Sequence, residues 1–459
     1  MNPALPTIFP APLDPKFQPA ILFKHRYVAA VKNSGRAVPL VVGLERENKL
    51  VSRFETVVFP EADAATLLYA ERLVKYLLWS RGGWKLHIGG PKAIGDLIQK
   101  YYAPRGKRKF DCDMMSAAYG KEFQVVVTTA DKVPAAKETQ LAAGGHLQGC
   151  RIGFDLGASD YKVSAVIDGE AIFTEEAAWD PKSQPNPNYH YHHIASALHR
   201  AAAHLPRVDA IGGSSAGIIV DSEIRVASLL RAVPKKLFPQ AAGIFKRIQK
   251  EWNVPVVVMN DGDVTALAGA LSLGSRGMLG IAMGSSQAAG FMDRAGAIPG
   301  WLNELAFVPV DYNPAAAVDE WSGDKGTGVM YFSQQAVNKL LPAAKISLPE
   351  KLGLPERLKE VQGLMARGDG RAAKIYETIG VYLGCALAHD AEFYDFRQVL
   401  VLGRVMTGKG GDIVIAKARE VLKKEFPELA AKIEVRVPDE KSRRVGQAVA
   451  AASLPALRK

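Results

Sequence analysis

Asp155, Gly157, Ser159 and Lys162 share one short stretch, GFDLGASDYKVSAV, from Gly153 to Val166. An apolar strand ends at an aspartate, a turn of small residues follows, and a second strand begins. A triphosphate needs backbone N–H donors at close range, and small residues allow that approach. Gly157, Ala158 and Ser159 supply such a turn. Asp155 at the strand end suits a magnesium ion, held directly or through water. Ser159 and Lys162 have the reach for phosphate oxygens. Taken alone, the stretch is equally a hairpin with a polar turn.

Three further stretches extend this chemistry. GIAMGSSQAAGF (280–291) is strand, small-residue turn, strand, with Gly284, Ser285 and Ser286 at its tip. Two such hairpins facing each other would clamp a phosphate chain from both sides. In MNDGDVTALAGA (259–270), Asn260 and Asp261 stand where a buried strand becomes a helix. A carboxylate on so rigid an element can take the proton from a hydroxyl that attacks a γ-phosphate. Aspartate is also a favoured helix cap; the cap is assigned to Asp263, which leaves Asp261 as the base. VLVLGRVMTGKGGD places Gly403, Gly408, Gly410 and Gly411 in a strand-to-helix turn, where close backbone approach suits an adenosine. Ser215, in the glycine- and serine-rich end of VDAIGGSSAG, is a candidate substrate contact together with Asn260.

The elements that must position these residues follow from periodicity and punctuation. RIGFDL, YKVSAVI and EAIFTEEAAW read as three antiparallel strands, with Asp168-Gly169 as a tight hairpin turn. HIASALHRAAAHL reads as a helix and VDAIGGSSAG as the next strand. VPVVVMNDGDVTALAGALSLG is a buried strand running into a helix, and SRRVGQAVAAASLPAL a terminal helix with small residues on one face. Residues 62–83 have helical spacing and stop at Gly82-Gly83. Residues 1–20 are proline-rich and expected to be extended, and 134–150 are expected to form a linker. The expected division is an N-terminal accessory α/β domain over 1–150, a first lobe over 151–264 plus 440–459, and a second lobe over 265–439.

The 459 residues supply a large core, with 48% apolar and 23% charged residues. The net charge of +11 suits anionic partners such as nucleotides or phosphorylated metabolites. The basic groups, Arg105 to Lys109 among them, are short and mixed with apolar residues, so they read as a solvated face and nucleic acid is not expected. Three scattered cysteines form neither a disulfide framework nor a zinc knuckle. Five histidines between His190 and His204 lack the spacing of a metal pair and read as a polar loop and a solvated helix side. The start has no signal-peptide pattern and no stretch is long enough to span a membrane, so a soluble cytoplasmic protein is expected.

The order of these motifs resembles the actin-like ATPase and sugar kinase superfamily and, within it, the ROK family of sugar kinases and sugar-responsive repressors. The similarity covers about 151–459. It implies an α/β, two-lobed actin-like ATPase (ribonuclease H-like) fold around a cleft, with the extra N-terminal domain. It further implies ATP and magnesium as cofactors, Asp261 as catalytic base, and Glu304 as a sugar ligand. The family's Gly-Glu-x-Gly-His element stands here as Asn303-Glu304-Leu-Ala-Phe307, so the Glu is kept and the His is lost. The zinc-binding cysteines that should follow are absent. The loop 310–333 must then be held by packing, with Trp321 and Tyr331 as its anchors, while Gln287, Asp311 and Asp324 could line a cleft. No winged helix-turn-helix is found in 1–150.

The leading expectation is therefore an ATP- and magnesium-dependent kinase acting on a hydroxyl of a small-molecule sugar or polyol. The alternative is a relative without catalysis that senses or binds a sugar or nucleotide, and a DNA-binding repressor stands third. The substrate, the phosphoryl donor and the oligomeric state, a homodimer included, are left open.

Overall fold

The structure, a computed structural model, describes residues 9–138, 141–142, 144–157, 159–438 and 440–457. It divides into two compact units: Met1–Thr139 with Ile281–Ala288 and Gly300–Val437, and Gln140–Gly280 with Ala289–Pro299 and Pro438–Lys459. They are called the first and second unit below.

The second unit is built on a five-stranded sheet in the order Val256–Asn260, Ala210–Ser215, Cys150–Leu156, Asp160–Ile167, Glu170–Ala178. The first three strands run parallel, and the last two are antiparallel additions. Asp168 (φ 48°) and Gly169 (φ 89°) form the expected hairpin turn, the aspartate adopting the left-handed conformation such turns require. One sheet face buries Ile152, Phe154, Val163, Ile211 and Val258 against Ile194, Leu198 and Phe245 of the covering helices. The helix Glu440–Ala452 lies so close to the sheet that a Cβ at Gly153 or Gly212 would fall 1.7 Å from the carbonyl oxygen of Ala448 or Ala451. Glycine is required at both positions, and the small residues Ala448, Ala451 and Ala452 make the approach possible.

The first unit holds a second sheet, in the order Val51–Val58, Val38–Glu45, Lys85–Gly89, Gln124–Thr128. Its central helix, Ala64–Arg81, starts at Asp63, whose Oδ1 accepts from the Thr66 N–H, and ends at Gly82 (φ 77°). This helix is almost wholly buried, and it carries one half of an ion network. Asp324 accepts from Arg72 at 2.8 Å and lies 2.9 Å from Lys75 and 2.8 Å from Arg108. Lys75 also reaches Asp111 at 3.1 Å, and Arg108 pairs with Glu71. Three cations face three carboxylates, as burial demands. The strand Gln398–Leu402 pairs in parallel with Glu434–Arg436. Behind it the helices Gly370–Asp390 and Lys409–Glu425 pack closely at Gly380 and Gly384.

These packings revise the sequence reading. Residues 9–138 do not stand apart as a domain of their own: the ion network and the Lys24–Glu392 pair (2.7 Å) tie them into the unit that holds 300–437. Arg108 is buried in that network, so the Arg105–Lys109 run is not simply a solvated face. Ala20–Asn33 is a helix that the sequence reading passed over. The segment before it is a strap held by side chains: Leu13 N–H donates to Thr378 Oγ1 (3.1 Å), the Tyr382 hydroxyl to Asp14 (2.6 Å), and Gln18 N–H to Asp311 (3.0 Å). Tyr331 anchors the 310–333 loop as expected, donating to Asp311 at 2.6 Å, and Trp321, though 58% exposed, packs edge-on against Phe110 and Phe307. Asp311, Asp324 and Gln287 are buried structural groups. His190 is also buried, its Nε2 facing the carbonyls of Pro181 and Leu229. Positions 139, 140 and 143 of the expected linker lie outside the described residues, as do 1–8 of the proline-rich start and Ala158 of the phosphate turn.

Candidate active site

Asp155 and Asp261 are brought together in the second unit. Pairing across the sheet sets a row on one face, Ser214–Asp155–Lys162–Glu176, because paired residues share a face. The Ser214 hydroxyl donates to Asp155 Oδ1 at 2.7 Å and fixes that carboxylate. Burial raises the Asp155 carboxyl above the usual carboxylate range, and the Ser214 bond and the Lys162 charge oppose the rise. Asp261 is the first helical residue after the strand Val256–Asn260. Burial, and secondly the Asp155 charge, push its carboxyl up to about 7. A carboxylate with a pKa near the working pH is suited to accept a proton from an alcohol.

The helix cap is Asn260, not Asp263: its Oδ1 accepts from Gly262 N–H at 2.7 Å. Asp is a good cap in general, but the helix starts three residues earlier than a cap at Asp263 would place it. Asn260 Nδ2 donates to the Gly217 carbonyl at 2.7 Å. Both polar ends of Asn260 are thus engaged in holding the strand-to-helix turn, which leaves it a positioning residue for Asp261. Gly262 is required at the next position, since a Cβ there would lie 2.0 Å from the Ala289 carbonyl oxygen. Gln447 Nε2 donates to the Asp261 carbonyl at 3.1 Å and pins the same turn from the C-terminal helix. Ser215, the other expected substrate contact, is fully buried.

The turn at 157–160 is closed by its own backbone: Gly157 N–H donates to the Asp160 carbonyl (2.9 Å), and the Trp179 indole donates to the Gly157 carbonyl (2.9 Å). The Gly157 amide is therefore already bonded. Ser159 is exposed and donates to Asp160 Oδ2 at 3.0 Å, and Lys162 lies 3.8 Å from Glu176.

The remaining expected residues belong to the first unit. Gly284 N–H closes a turn on the Ser286 carbonyl (2.9 Å), and Ser285 and Ser286 are exposed at its tip. Gly403 (φ 103°) packs on Met283, whose carbonyl oxygen would lie 2.4 Å from a Cβ. Gly410 faces the ring of Tyr376, 2.5 Å from the position of a Cβ. Gly411 sits over the Met406 carbonyl, where a Cβ would be 2.0 Å away. A cavity of about 330 Å³ opens here, lined by Gln362, Met365, Tyr376, Thr407, Lys409 and Gly410 among others. The buried Tyr376 hydroxyl finds no hydrogen-bond partner among the described residues. Glu304 is half-buried, and the N–H groups of Leu302, Asn303 and Glu304 donate to the carbonyls of Arg81, Ser80 and Trp79. Those carbonyls are the orphan acceptors of a helix end, so the cap of Ala64–Arg81 is what sets the place of Glu304. Phe307, at the position of the lost His, is buried on Trp79 with ring centroids 4.2 Å apart.

Sequence reasoning missed Ser214, Tyr376 and Gln447. The double serine offered Ser214 and Ser215 without a means to choose, because only the pairing register puts Ser214 beside Asp155. Tyr376 and Gln447 sit on helices whose own pattern carries no chemical signal. Among the described residues no three His, Cys, Asp or Glu side chains are grouped to hold a metal, and no helix is long and apolar enough to cross a membrane.

No family model and no curated protein is matched by the chain. Solved structures are. A ROK hexokinase from Thermus thermophilus is 18% identical with a TM-score of 0.51, over 66% of this chain and 97% of that one. A ROK family glucokinase from Streptomyces griseus, in complex with glucose and AMPPNP, is 20% identical with a TM-score of 0.50, over 66% and 98%. A ROK family transcriptional regulator, a homologue of the E. coli MLC protein, is 17% identical with a TM-score of 0.53, over 84% and 96%. The chain therefore has the α/β, actin-like ATPase fold, in the form found in ROK proteins. At these identities the likeness speaks for the fold.

Proposed function

We propose that the chain is a ROK-like carbohydrate kinase that transfers a phosphoryl group from ATP to a hydroxyl of a sugar or polyol. The observation that carries this reading is Asp261: a carboxyl on the first turn of a rigid helix, held near neutrality by burial and by Asp155. Asp261 accepts the proton of the attacking hydroxyl. Asn260, Gly262 and Gln447 fix its backbone, so the base does not have to be repositioned during the reaction. Asp155, steadied by Ser214, is the ligand for magnesium. Two raised carboxylates that repel one another fit a dication, and magnesium is normally held by one or two carboxylates plus the phosphates of its nucleotide. Bound Mg-ATP supplies the electrophilic phosphoryl group and neutralises its charge.

In the first unit, the 330 Å³ cavity beside Gly410 and Tyr376 is the proposed nucleoside site. Ser285 and Ser286 are proposed phosphate contacts, and Glu304 the sugar contact. Phe307 offers no hydrogen bond where the family resemblance places a His, so hexoses that depend on that partner are disfavoured. The test is ATP consumption by wild type and Asp261→Asn against a panel of sugars, polyols and sugar acids. Consumption that depends on one class and is lost in the variant supports the reading; consumption that persists in the variant removes Asp261 from its role. A second reading, a sugar- or nucleotide-sensing protein without turnover, is favoured by Phe307 and by the engaged side chain of Asn260. Saturable ligand binding with no phosphorylated product would select it.

A further inference from the structure

A second cavity, of about 230 Å³, lies within the first unit. Its walls come from the strands Val38–Glu45 and Val51–Val58, the C-terminal turn of Ala64–Arg81, Trp301 and Phe393. None of its lining residues belongs to the set assigned above to phosphoryl transfer. One part of the lining is aliphatic and aromatic: Val42, Leu44, Phe54, Leu77 and Phe393. One member is a buried arginine, Arg81, at 7% exposure. Its guanidinium lies 3.5 Å from the Trp301 ring centroid and 4.6 Å from that of Tyr394. Nη2 donates to the Phe393 carbonyl, and Nη1 is buried with no acceptor among the described residues.

The neighbouring charges are already matched. Glu138 accepts from Arg46, Ser52 and the Trp301 indole; its charge is felt by Arg81, but no hydrogen bond joins the two. Glu392 is held by Lys24 (2.7 Å) and His25 (2.8 Å). Arg53 pairs with Glu55 (2.8 Å) and donates to the Val133 carbonyl (2.6 Å). Four cations, Lys24, Arg46, Arg53 and Arg81, thus face three carboxylates, Glu55, Glu138 and Glu392. The surplus positive charge is Arg81. A buried charge without a partner is costly, and guanidinium edges are shaped to receive an oxyanion.

We infer that this cavity binds a small molecule bearing a single oxyanion, a carboxylate or a phosphate, on an apolar body, with the oxyanion on the Arg81 edge and the apolar part against Leu44, Phe54 and Leu77. The volume is below the roughly 300–1,000 Å³ of sites for drug-sized ligands, so the ligand is compact. Trp301 stands three residues before Glu304 in the segment that caps the same helix, so occupancy also bears on the proposed sugar contact; the binding itself does not depend on that proposal.

The test is titration calorimetry on the full chain with acetate, butyrate, benzoate, inorganic phosphate and phenyl phosphate. One saturable site is expected, tighter for benzoate or phenyl phosphate than for acetate or inorganic phosphate, and the better of the two identifies the oxyanion. Arg81→Met is expected to weaken binding at least tenfold. Ala136→Trp, which places a large ring at the exposed rim of the cavity without touching the buried charge, is expected to block it as well, and carries the test if the Arg81 variant does not fold. Binding of none of the five probes to wild type would overturn the inference, and so would binding that survives Ala136→Trp.

Discussion

Replacing Asp324 by Asn removes one charge from a network that has no spare. Asp324 is the shared acceptor of Arg72, Lys75 and Arg108, all buried. After the change, three cations face only Glu71 and Asp111. Breaking a buried ion pair by removing one partner costs about 3–5 kcal/mol. The first unit has roughly 280 residues, for which the unfolding entropy is about 0.6 kcal/mol/K. The expected fall in its melting temperature is therefore about 5–8 °C, read by calorimetry or circular dichroism at pH 7. Burial alone would raise the Asp324 pKa, but Lys75, Arg72 and Arg108 hold it well below the usual carboxylate range. A depressed folded-state pKa contributes stability that is fully present above the unfolded value, near 4, and is lost as the pH falls below it. The gap between wild type and variant should be constant from about pH 8 to pH 5 and shrink below about pH 4. Adding Lys75→Met restores two cations to two carboxylates and should recover part of the loss. A fall of under about 1 °C, or a double variant that loses as much as the two single losses added together, would refute the charge-balance reasoning.

If Asp261 is the base, turnover should rise with pH through an apparent value near 7, because only the ionised form accepts the proton, and saturating magnesium should move that limb to lower pH; a pH–rate profile at two magnesium concentrations checks both. Asn260→Ala removes the cap of the helix beginning at Asp261 and should cost about 1–2 kcal/mol in denaturant unfolding, with Asn260→Asp recovering part of it. Tyr376→Phe removes a buried hydroxyl that has no partner, so stability should be unchanged or higher, while nucleotide affinity measured by calorimetry should fall about fivefold if the hydroxyl faces the nucleoside.

The part of the fold legible in the sequence was the part fixed by local signals. The Asp168-Gly169 turn and the small-residue face of the last helix each have one dominant physical cause, and each lies where the sequence placed it. Asp155 and Asp261 were singled out because each stands where a strand gives way to a turn or a helix, and the fold places one near the other. What escaped depends on residues far apart in the chain. Asp324 could not be joined to Arg72, Lys75 and Arg108 by any spacing rule, and so residues 1–150 were read as a separate domain. The cap falls on Asn260, three residues before Asp263, because asparagine caps as well as aspartate and the strand already ends there. No local signal marks Arg81; the rings of Trp301 and Tyr394 that cover it lie more than two hundred residues away.

The central claim is phosphoryl transfer to a carbohydrate hydroxyl with Asp261 as base. The most direct measurement is phosphorus NMR of purified protein with Mg-ATP and the best substrate of the panel, alongside Asp261→Asn. That variant should fold normally, since it replaces a carboxyl whose ionised form the buried site disfavours. The expected result is a sugar or polyol phosphate ester that grows in step with ADP and is lost in the variant. ADP with only inorganic phosphate, or an ester formed equally well by the variant, would contradict the claim.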